Sequence, residues 1–301
     1  MFSVLTPTYN RAHTLKRVFD SLKAQTFQDF EWIIIDDASS DETSKLIDSW
    51  EIVNLPFSVK YLVLPENKGK PNALNVGLNH CNKEITIIAD SDDTFVPNTF
   101  QELYQLWSSV NITKNADKIA TIWTLVKDED NNLVGEKFPD NFWQVDFNNR
   151  VLKKDQRVAG EKWHSWRTEV LKKYKMFHSD QSFISESATW NRINKDYDYL
   201  CVNVFHRVYY SSPDGYIQKK KTRLELEKVK YYNAYYQLYE TTISDIYKFE
   251  YFRSYAFDYI KSRLTFKDSQ ISLDRIKTIN CLIIALGFIP KKINSFIKQK
   301  S

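Results

Sequence analysis

Residues 85–93 run Ile-Thr-Ile-Ile-Ala-Asp-Ser-Asp-Asp, an oily segment that stops abruptly in three carboxylates. A short apolar run bounded by polar residues has the pattern of a buried strand. Asp90, Asp92 and Asp93 then stand at its mouth, with Ser91 among them. Two unit charges ~4 Å apart repel by about 4 kcal/mol at an effective dielectric of 20. Three such groups need a counter-charge, or one must keep its proton. A solvent-exposed turn capping the next helix explains one aspartate; it fits three poorly.

The neighbouring segments repeat the theme. Phe2 to Thr6, Phe30 to Asp36, Val59 to Pro65, Glu84 to Ala89 and Ala120 to Val126 have strand character. Between them, helical spacing is found from about residue 13 (Leu15, Val18, Phe19, Leu22), over 42–50, over 71–80 and behind Pro97. Alternation of this kind predicts an α/β fold with a mostly parallel central sheet covered by helices on both faces. Beyond residue 126, Asp128 to Asn132 signals a hairpin turn, residues 162–174 and 182–194 have helical character, and 199–210 forms a last strand. After Pro213-Asp214-Gly215 the pattern changes to long helices with Tyr231, Tyr232, Tyr235 and Tyr236. The expected organisation is one domain over 1–215, with a nucleotide-binding half (1–110) and an acceptor-binding half (111–215), then a basic helical region over 216–301.

Charge supports that division. Residues 216–301 carry 17 Lys and Arg against 8 Asp and Glu, a balance of +9, which leaves −5 for residues 1–215 of the +4 total. A basic tail containing the apolar segment CLIIALGFIP (281–290) suits an anionic membrane surface, and equally a solvated helical face. No nucleic-acid module is recognisable. No apolar run approaches the ~20 residues that span a bilayer. Cys81, Cys201 and Cys281 form no CxxC pair, so a disulfide framework or zinc site is not expected and a reducing cytosol fits. MFSVLTPTYN lacks the basic start and apolar core of a secretory signal.

In parallel sheets ligands bind at the carboxyl ends of the strands. Here those ends carry Pro7-Thr8-Tyr9-Asn10, Asp36-Asp37-Ala38-Ser39, Asn67-Lys68-Gly69-Lys70-Pro71 and the carboxylate cluster. Such an edge suits a nucleotide diphosphate. Tyr9 and Asp37 offer a flat surface and a carboxylate to a base; Lys68, Lys70 and the helix starting near Pro71 suit a diphosphate. A divalent metal on such a ligand is held by one or two carboxylates. A dinucleotide fold is excluded, because the first turn lacks GxGxxG, and no P-loop is present.

SVLTPTYNRAHTLKRVFDSLKAQTFQDFEWIIIDDASSDET (3–43), GKPNALNVG (69–77) and ADSDD (89–93) together resemble glycosyltransferase family 2, inverting sugar transferases of the GT-A fold. The likeness is close over about residues 1–110 and loose to 215. It implies that Asp37 and the Pro7-Thr8-Tyr9 turn hold the base. It places Asp90 at the ribose or beside the metal, Lys70 and Asn75 at the donor, and Asp92 as the main contact to Mg2+ or Mn2+, with Asp93 sharing that role and His206 as a late metal ligand. The donor is expected to be a nucleotide-diphosphate sugar, usually a UDP-sugar. Glu186 takes the place of the family's catalytic base, with Asp180 as second choice. Trp163 and His164 fall where a saccharide or lipid-linked acceptor would lie. QxxRW and membrane spans are absent, which argues for single-sugar transfer in surface polysaccharide biosynthesis by a cytoplasmic protein, peripheral on the inner membrane face. Oligomeric state stays open. The competing expectations are a non-catalytic nucleotide-sugar-binding protein and a metal-dependent nucleotidyltransferase.

Overall fold

The computed structural model describes residues 1–113, 115–211, 220–266, 268 and 270–298, with backbone alone from 288 onward. The chain forms two compact units, Met1–Met176 with Thr189–Gln218, and Phe177–Ala188 with Lys219–Ser301. The domain boundary expected at 215/216 lies outside the described residues.

In the first unit, β1 (Phe2–Thr8), β2 (Phe30–Asp36), β3 (Ser58–Val63) and β4 (Ile85–Ile88) alternate with α1 (Leu15–Lys23), α2 (Thr43–Asp48) and α3 (Lys70–Leu78). There follow β5 (Thr94–Phe95), α4 (Thr99–Asn111), β6 (Ile119–Asp128), β7 (Trp143–Val145), β8 (Lys162–Arg167), α5 (Thr168–Lys173), α6 (Ser187–Asp196) and β9 (Asp198–Tyr209). The strands make one sheet in the order β3-β2-β1-β4-β8-β6-β9-β5, with β7 paired to β9. Pairing is parallel from β3 through β4, while β5, β7 and β8 run antiparallel to their neighbours.

The apolar strands are explained by two cores, one on each sheet face. Val4, Trp32, Ile34 and Ile87 pack with α1 and α4, whereas Leu5, Ile33 and Ile35 pack with α3 and α5. Consecutive strand residues serve opposite layers, so both must be apolar. Helix α1 buries Leu15, Val18, Phe19 and Leu22, and α4 buries Phe100, Leu103, Trp107 and Val110, each a single stripe. Helix α3 lies unusually close to the sheet. A Cβ on its Gly77 would stand 2.3 Å from Leu5 Cδ1 and 2.9 Å from Ile35 Cγ1.

One element differs in kind from its expectation. Residues 162–167 form strand β8, and only Thr168–Lys173 are helical. Trp163, Trp166, Val170 and Leu171 mimic a helical stripe. Insertion between β4 and β6 prevails, with Thr86 opposite Trp166 on one side and Thr121 opposite Trp166 on the other. His164 and Trp166 then share a face, their rings stacked at 5.1 Å. Strand propensity depends on such packing more than on intrinsic preference.

The second unit is helical: α7 (Arg223–Tyr239), α8 (Ile243–Lys248), α9 (Glu250–Arg263) and α10 (Arg275–Lys298). Helix α7 starts at a capping box, in which Thr222 and Glu225 satisfy each other's backbone amides. Tyr231 and Tyr232 are fully buried; Tyr231 stacks on Tyr259 at 5.2 Å and Tyr232 donates to Asp268. Residues 177–188 belong here: Phe177 stacks on Tyr236 at 4.4 Å and Ser185 N donates to Asn233 Oδ1 at 2.8 Å. The three cysteines are buried and free.

Candidate functional site

The chain leaves β1 for β2 and β3 on one side, then returns to place β4 on the other. The carboxyl ends of β1 and β4, where the strand order reverses, are the usual ligand position in such sheets. Thr8-Tyr9 continues one strand and Ala89-Asp90 the other.

The three carboxylates there have unequal partners. Asp90 Oδ1 pairs with Lys70 Nζ at 2.6 Å, and its Oδ2 lies 3.5 Å from Arg207 Nη2. Asp93 is 2% exposed and contacts the same Arg207 nitrogen directly, while its Oδ1 accepts from Tyr210 N at 3.3 Å. Asp92 is partly exposed and, among the described residues, has no hydrogen-bond or ion-pair partner. The cluster thus sets three carboxylates against two cations.

Proton affinities follow from this arrangement. Burial pushes the Asp93 carboxyl up to about 7; Asp90 and Asp92 add to that and Arg207 opposes it. Burial acts upward on Asp90 as well, but Lys70 and Arg207 outweigh it and the group is held below the usual carboxylate range. Burial acts to lower the pKa of Arg207, and the adjacent Asp93 and Asp90 reverse that.

Lys70 owes its position to local chemistry. Asp37, 2% exposed, accepts from Lys68 N at 3.0 Å and Gly69 N at 2.6 Å, which pins the loop ahead of α3. Gly69 has φ +87°, a conformation that favours glycine, and Pro71 follows in the first turn of α3. Asp36 performs a similar task, accepting from Ser39 N at 2.7 Å and from Tyr61 Oη at 2.6 Å. The Tyr9–Ala12 turn is tied to residues 39–43: Asn10 N donates to Ser39 Oγ at 2.8 Å, and Ala12 N to Asp41 Oδ2 at 3.1 Å. Thr14 Oγ1 donates to Ser91 O at 2.8 Å, fastening the start of α1 to the carboxylate turn.

The structure therefore joins Lys70 to Asp90 and, through Arg207, Asp90 to Asp93, with Asp92 between the two aspartates in sequence. Tyr9, at the end of β1, is 44% exposed; Pro7 and Thr8 are buried. Other expected site residues are engaged elsewhere. Both ends of the Asn75 amide bond to Met176, at 2.8 and 2.9 Å. His206 is fully buried, with Nε2 3.0 Å from Glu102 Oε2; burial lowers its pKa against the pull of Glu102. Trp163 is 3% exposed and donates Nε1–H to Ile88 O at 3.0 Å, leaving no open ring face for a sugar. His164 accepts from Trp123 Nε1, and burial, then Arg150 and Arg207, hold its imidazole well below its ordinary pKa. Glu186 falls in the second unit, one residue before α6. Sequence reasoning missed Arg207 and Tyr210, which are brought to the carboxylates by β5–β9 pairing, Phe95 opposite Arg207.

Among the described residues no group of three or more His, Cys, Asp and Glu is arranged to hold a metal ion. A magnesium-like ion on a diphosphate needs only one or two protein carboxylates, the rest being phosphate and water. The unpaired Asp92 fits that demand, and Asp93 is already engaged by Arg207.

A strand-end switch point with a carboxylate cluster, an acidic anchor and a lysine opening a helix, on a mixed sheet flanked by helices, defines an α/β fold whose strand-end chemistry suits a nucleotide diphosphate. The Glycosyl transferase family 2 profile matches residues 3–154, and the chain belongs to that family. It is 32% identical over 106 residues to glycosyltransferase GlyG of Streptococcus pneumoniae, covering 35% of this chain and 34% of that one. It is 32% identical over 104 residues to the GalNAc(5)-diNAcBac-PP-undecaprenol beta-1,3-glucosyltransferase of Campylobacter jejuni, covering 34% and 33%. These matches span about a third of the relatives' length. In fold it resembles S. aureus TarS 1-349 in complex with UDP-GlcNAc, with TM-score 0.61 at 17% identity over 93% of this chain and 79% of that one. The mannosyltransferase PcManGT of Pyrobaculum calidifontis, in complex with GDP-Man and Mn2+, matches with TM-score 0.50 at 18% identity over 95% and 86%. The fold is thus GT-A-like, with additional C-terminal helices.

Proposed function

We propose that this chain is an inverting glycosyltransferase. It would move one sugar from a nucleoside-diphosphate sugar to a hydroxyl of a saccharide or lipid-linked acceptor. The observation that carries the reading is the unpaired Asp92 beside Asp90 and Asp93, whose charges Lys70 and Arg207 largely balance. The site accepts a cation at Asp92 without first breaking an ion pair. A divalent ion held there would neutralise the donor diphosphate and its developing charge.

The residues of the chain divide the remaining work. Lys70 supplies a cation next to the diphosphate, fixed by Asp90 and by the Asp37-bound loop. Tyr9 offers an exposed ring to the base. Arg207 holds Asp93 and Asp90 in place. Glu186 is assigned as base from its place in the sequence, with Asp180 as second candidate. It takes the proton of the acceptor hydroxyl as the oxygen attacks the anomeric carbon and the bond to the diphosphate breaks. The oxygen attacks on the face opposite the departing nucleoside diphosphate, so the anomeric configuration inverts.

The relatives' names favour surface saccharides: one specifies an undecaprenol-linked acceptor, and S. aureus TarS is a poly(ribitol-phosphate) beta-N-acetylglucosaminyltransferase. UDP is the preferred donor nucleotide by the TarS complexes, with GDP the alternative by PcManGT. The test is a panel of UDP- and GDP-sugars with saccharide and lipid-linked acceptors, with Mn2+, Mg2+ or chelator, following nucleoside diphosphate release. Loss of transfer in Asp92→Asn, with the protein still folded, supports the reading. Release of pyrophosphate instead would indicate nucleotidyl transfer, and donor binding without turnover a non-catalytic binder.

A further inference from the structure

Helix α10 packs on α9 and α8 through one side and leaves the other bare. Cys281, Ile284 and Ala285 are buried, and Lys277 Nζ donates to Tyr239 O at 2.7 Å and Leu238 O at 3.3 Å at the end of α7. The opposite side carries Ile276, Ile279, Leu282, Ile283 and Leu286, which are 44–66% exposed. At 100° per residue these five fall within one arc of about 120°, a stripe of isoleucine and leucine alone. An aliphatic face of that width on a soluble surface marks an interaction site.

Charge says what covers it. From Arg275 to the last residue the sequence has six basic residues (Arg275, Lys277, Lys291, Lys292, Lys298 and Lys300) and no acidic one. The 3-4-3 spacing of Ile276, Ile279, Ile283 and Leu286 also suits a second copy of the helix. Two copies would bring together two acid-free, lysine-bearing segments with no opposite charge to pair. An anionic lipid surface supplies both missing complements, apolar tails for the stripe and negative headgroups for the lysines. No described helix is long and apolar enough to cross a membrane. We infer that α10 lies in the plane of an anionic bilayer, with the Ile276–Leu286 stripe in the headgroup–acyl boundary and the net positive charge of the segment drawing it to the anionic surface.

The test is co-sedimentation of the full chain with phosphatidylcholine vesicles, with and without phosphatidylglycerol, at low and high salt. Expected is binding to the anionic vesicles alone, weakened by salt. Ile279→Glu/Ile283→Glu should abolish binding. Lys291→Ala and Lys292→Ala should each weaken it about fivefold, the worth of a lysine near such a surface. Circular dichroism and nucleotide binding, both expected unchanged, show that the variants fold. Sedimentation velocity on the same proteins supplies the other arm. A dimer that the glutamates dissociate, with no vesicle binding, would overturn the proposal in favour of a second copy. Equal binding to neutral and anionic vesicles, or no binding to either, would overturn it too.

Discussion

Arg207→Met is the sharpest probe of the carboxylate cluster. The guanidinium lies 3.5 Å from Asp90 Oδ2 and in direct contact with Asp93, with all three side chains largely enclosed. At an effective dielectric of 20, one unit-charge attraction at 3.5 Å is about 5 kcal/mol. Relief of the desolvation of Arg207 offsets part of this, and breaking a buried pair from one side usually costs about 3–5 kcal/mol. Asp93 can limit the loss by taking a proton, since its pKa already stands at about 7. That is above the ~3.9 of an unfolded aspartate, so between the two values the folded chain holds the extra proton and stability declines as pH rises. Without Arg207 the folded pKa climbs further. The decline then continues above pH 7, at up to about 1.4 kcal/mol per pH unit. The variant should be about 3 kcal/mol or more less stable near pH 8, and its deficit should shrink by one or more kcal/mol near pH 6. Urea unfolding followed by tryptophan fluorescence reads the relevant unit alone, because all eight tryptophans lie in it. Arg207→Met/Asp93→Asn should recover most of the loss, since the stranded charge is gone. A deficit below about 1 kcal/mol at both pH values, or a double variant no better than the single, would refute the account.

Asp92→Asn should change stability by no more than about 0.5 kcal/mol, because the carboxylate has no partner to lose among the described residues, while Mn2+-dependent nucleotide binding measured by calorimetry disappears. Glu186→Gln should leave that binding intact and lower transfer by about 10²–10⁴-fold, the usual worth of a positioned base; unchanged transfer with an equal loss in Asp180→Asn would move the role to Asp180. His164→Gln bears on pH. The buried imidazole has a folded pKa well below its unfolded ~6.5, so its stabilising contribution is complete above pH 6.5 and is lost as pH falls below it. Thermal unfolding between about pH 6.5 and 5 should decline less steeply in the glutamine variant, by up to about 1.4 kcal/mol per pH unit. A parallel decline would show that His164 takes up its proton alike in the folded and unfolded states, which would refute the account.

The carboxyl-end positions were legible because strand and turn chemistry are local. Phe30 to Asp36 is a strand with the bounds its apolar run suggests, and Asp90, Asp92 and Asp93 stand where the next run ends. What a single run cannot show is partnership. Trp163, Trp166 and Val170 keep a helical rhythm, and only the slot between β4 and β6 makes 162–167 a strand and turns Trp163 inward. Arg207 sits inside β9 with no turn to announce it. It reaches Asp93 because β5 pairs with β9 across more than a hundred residues of chain. Asp37, a natural partner for a nucleotide base by position, accepts with its two oxygens from the amides of Lys68 and Gly69 and so positions the loop that carries Lys70. The same counting of partners separates the three carboxylates, which the sequence presents as near equals. Asp90 belongs to Lys70 and Arg207, and Asp93 to Arg207 and the Tyr210 amide. Among the described residues only Asp92 of the three has no ion-pair or hydrogen-bond partner. A site built to bind a cation must leave one carboxylate unneutralised and hold it beside others that are neutralised, or the cluster would unfold itself by repulsion. On the proposed reading Arg207 is as much a requirement of cation binding as Asp92, because it balances Asp93 and Asp90 without touching the ion.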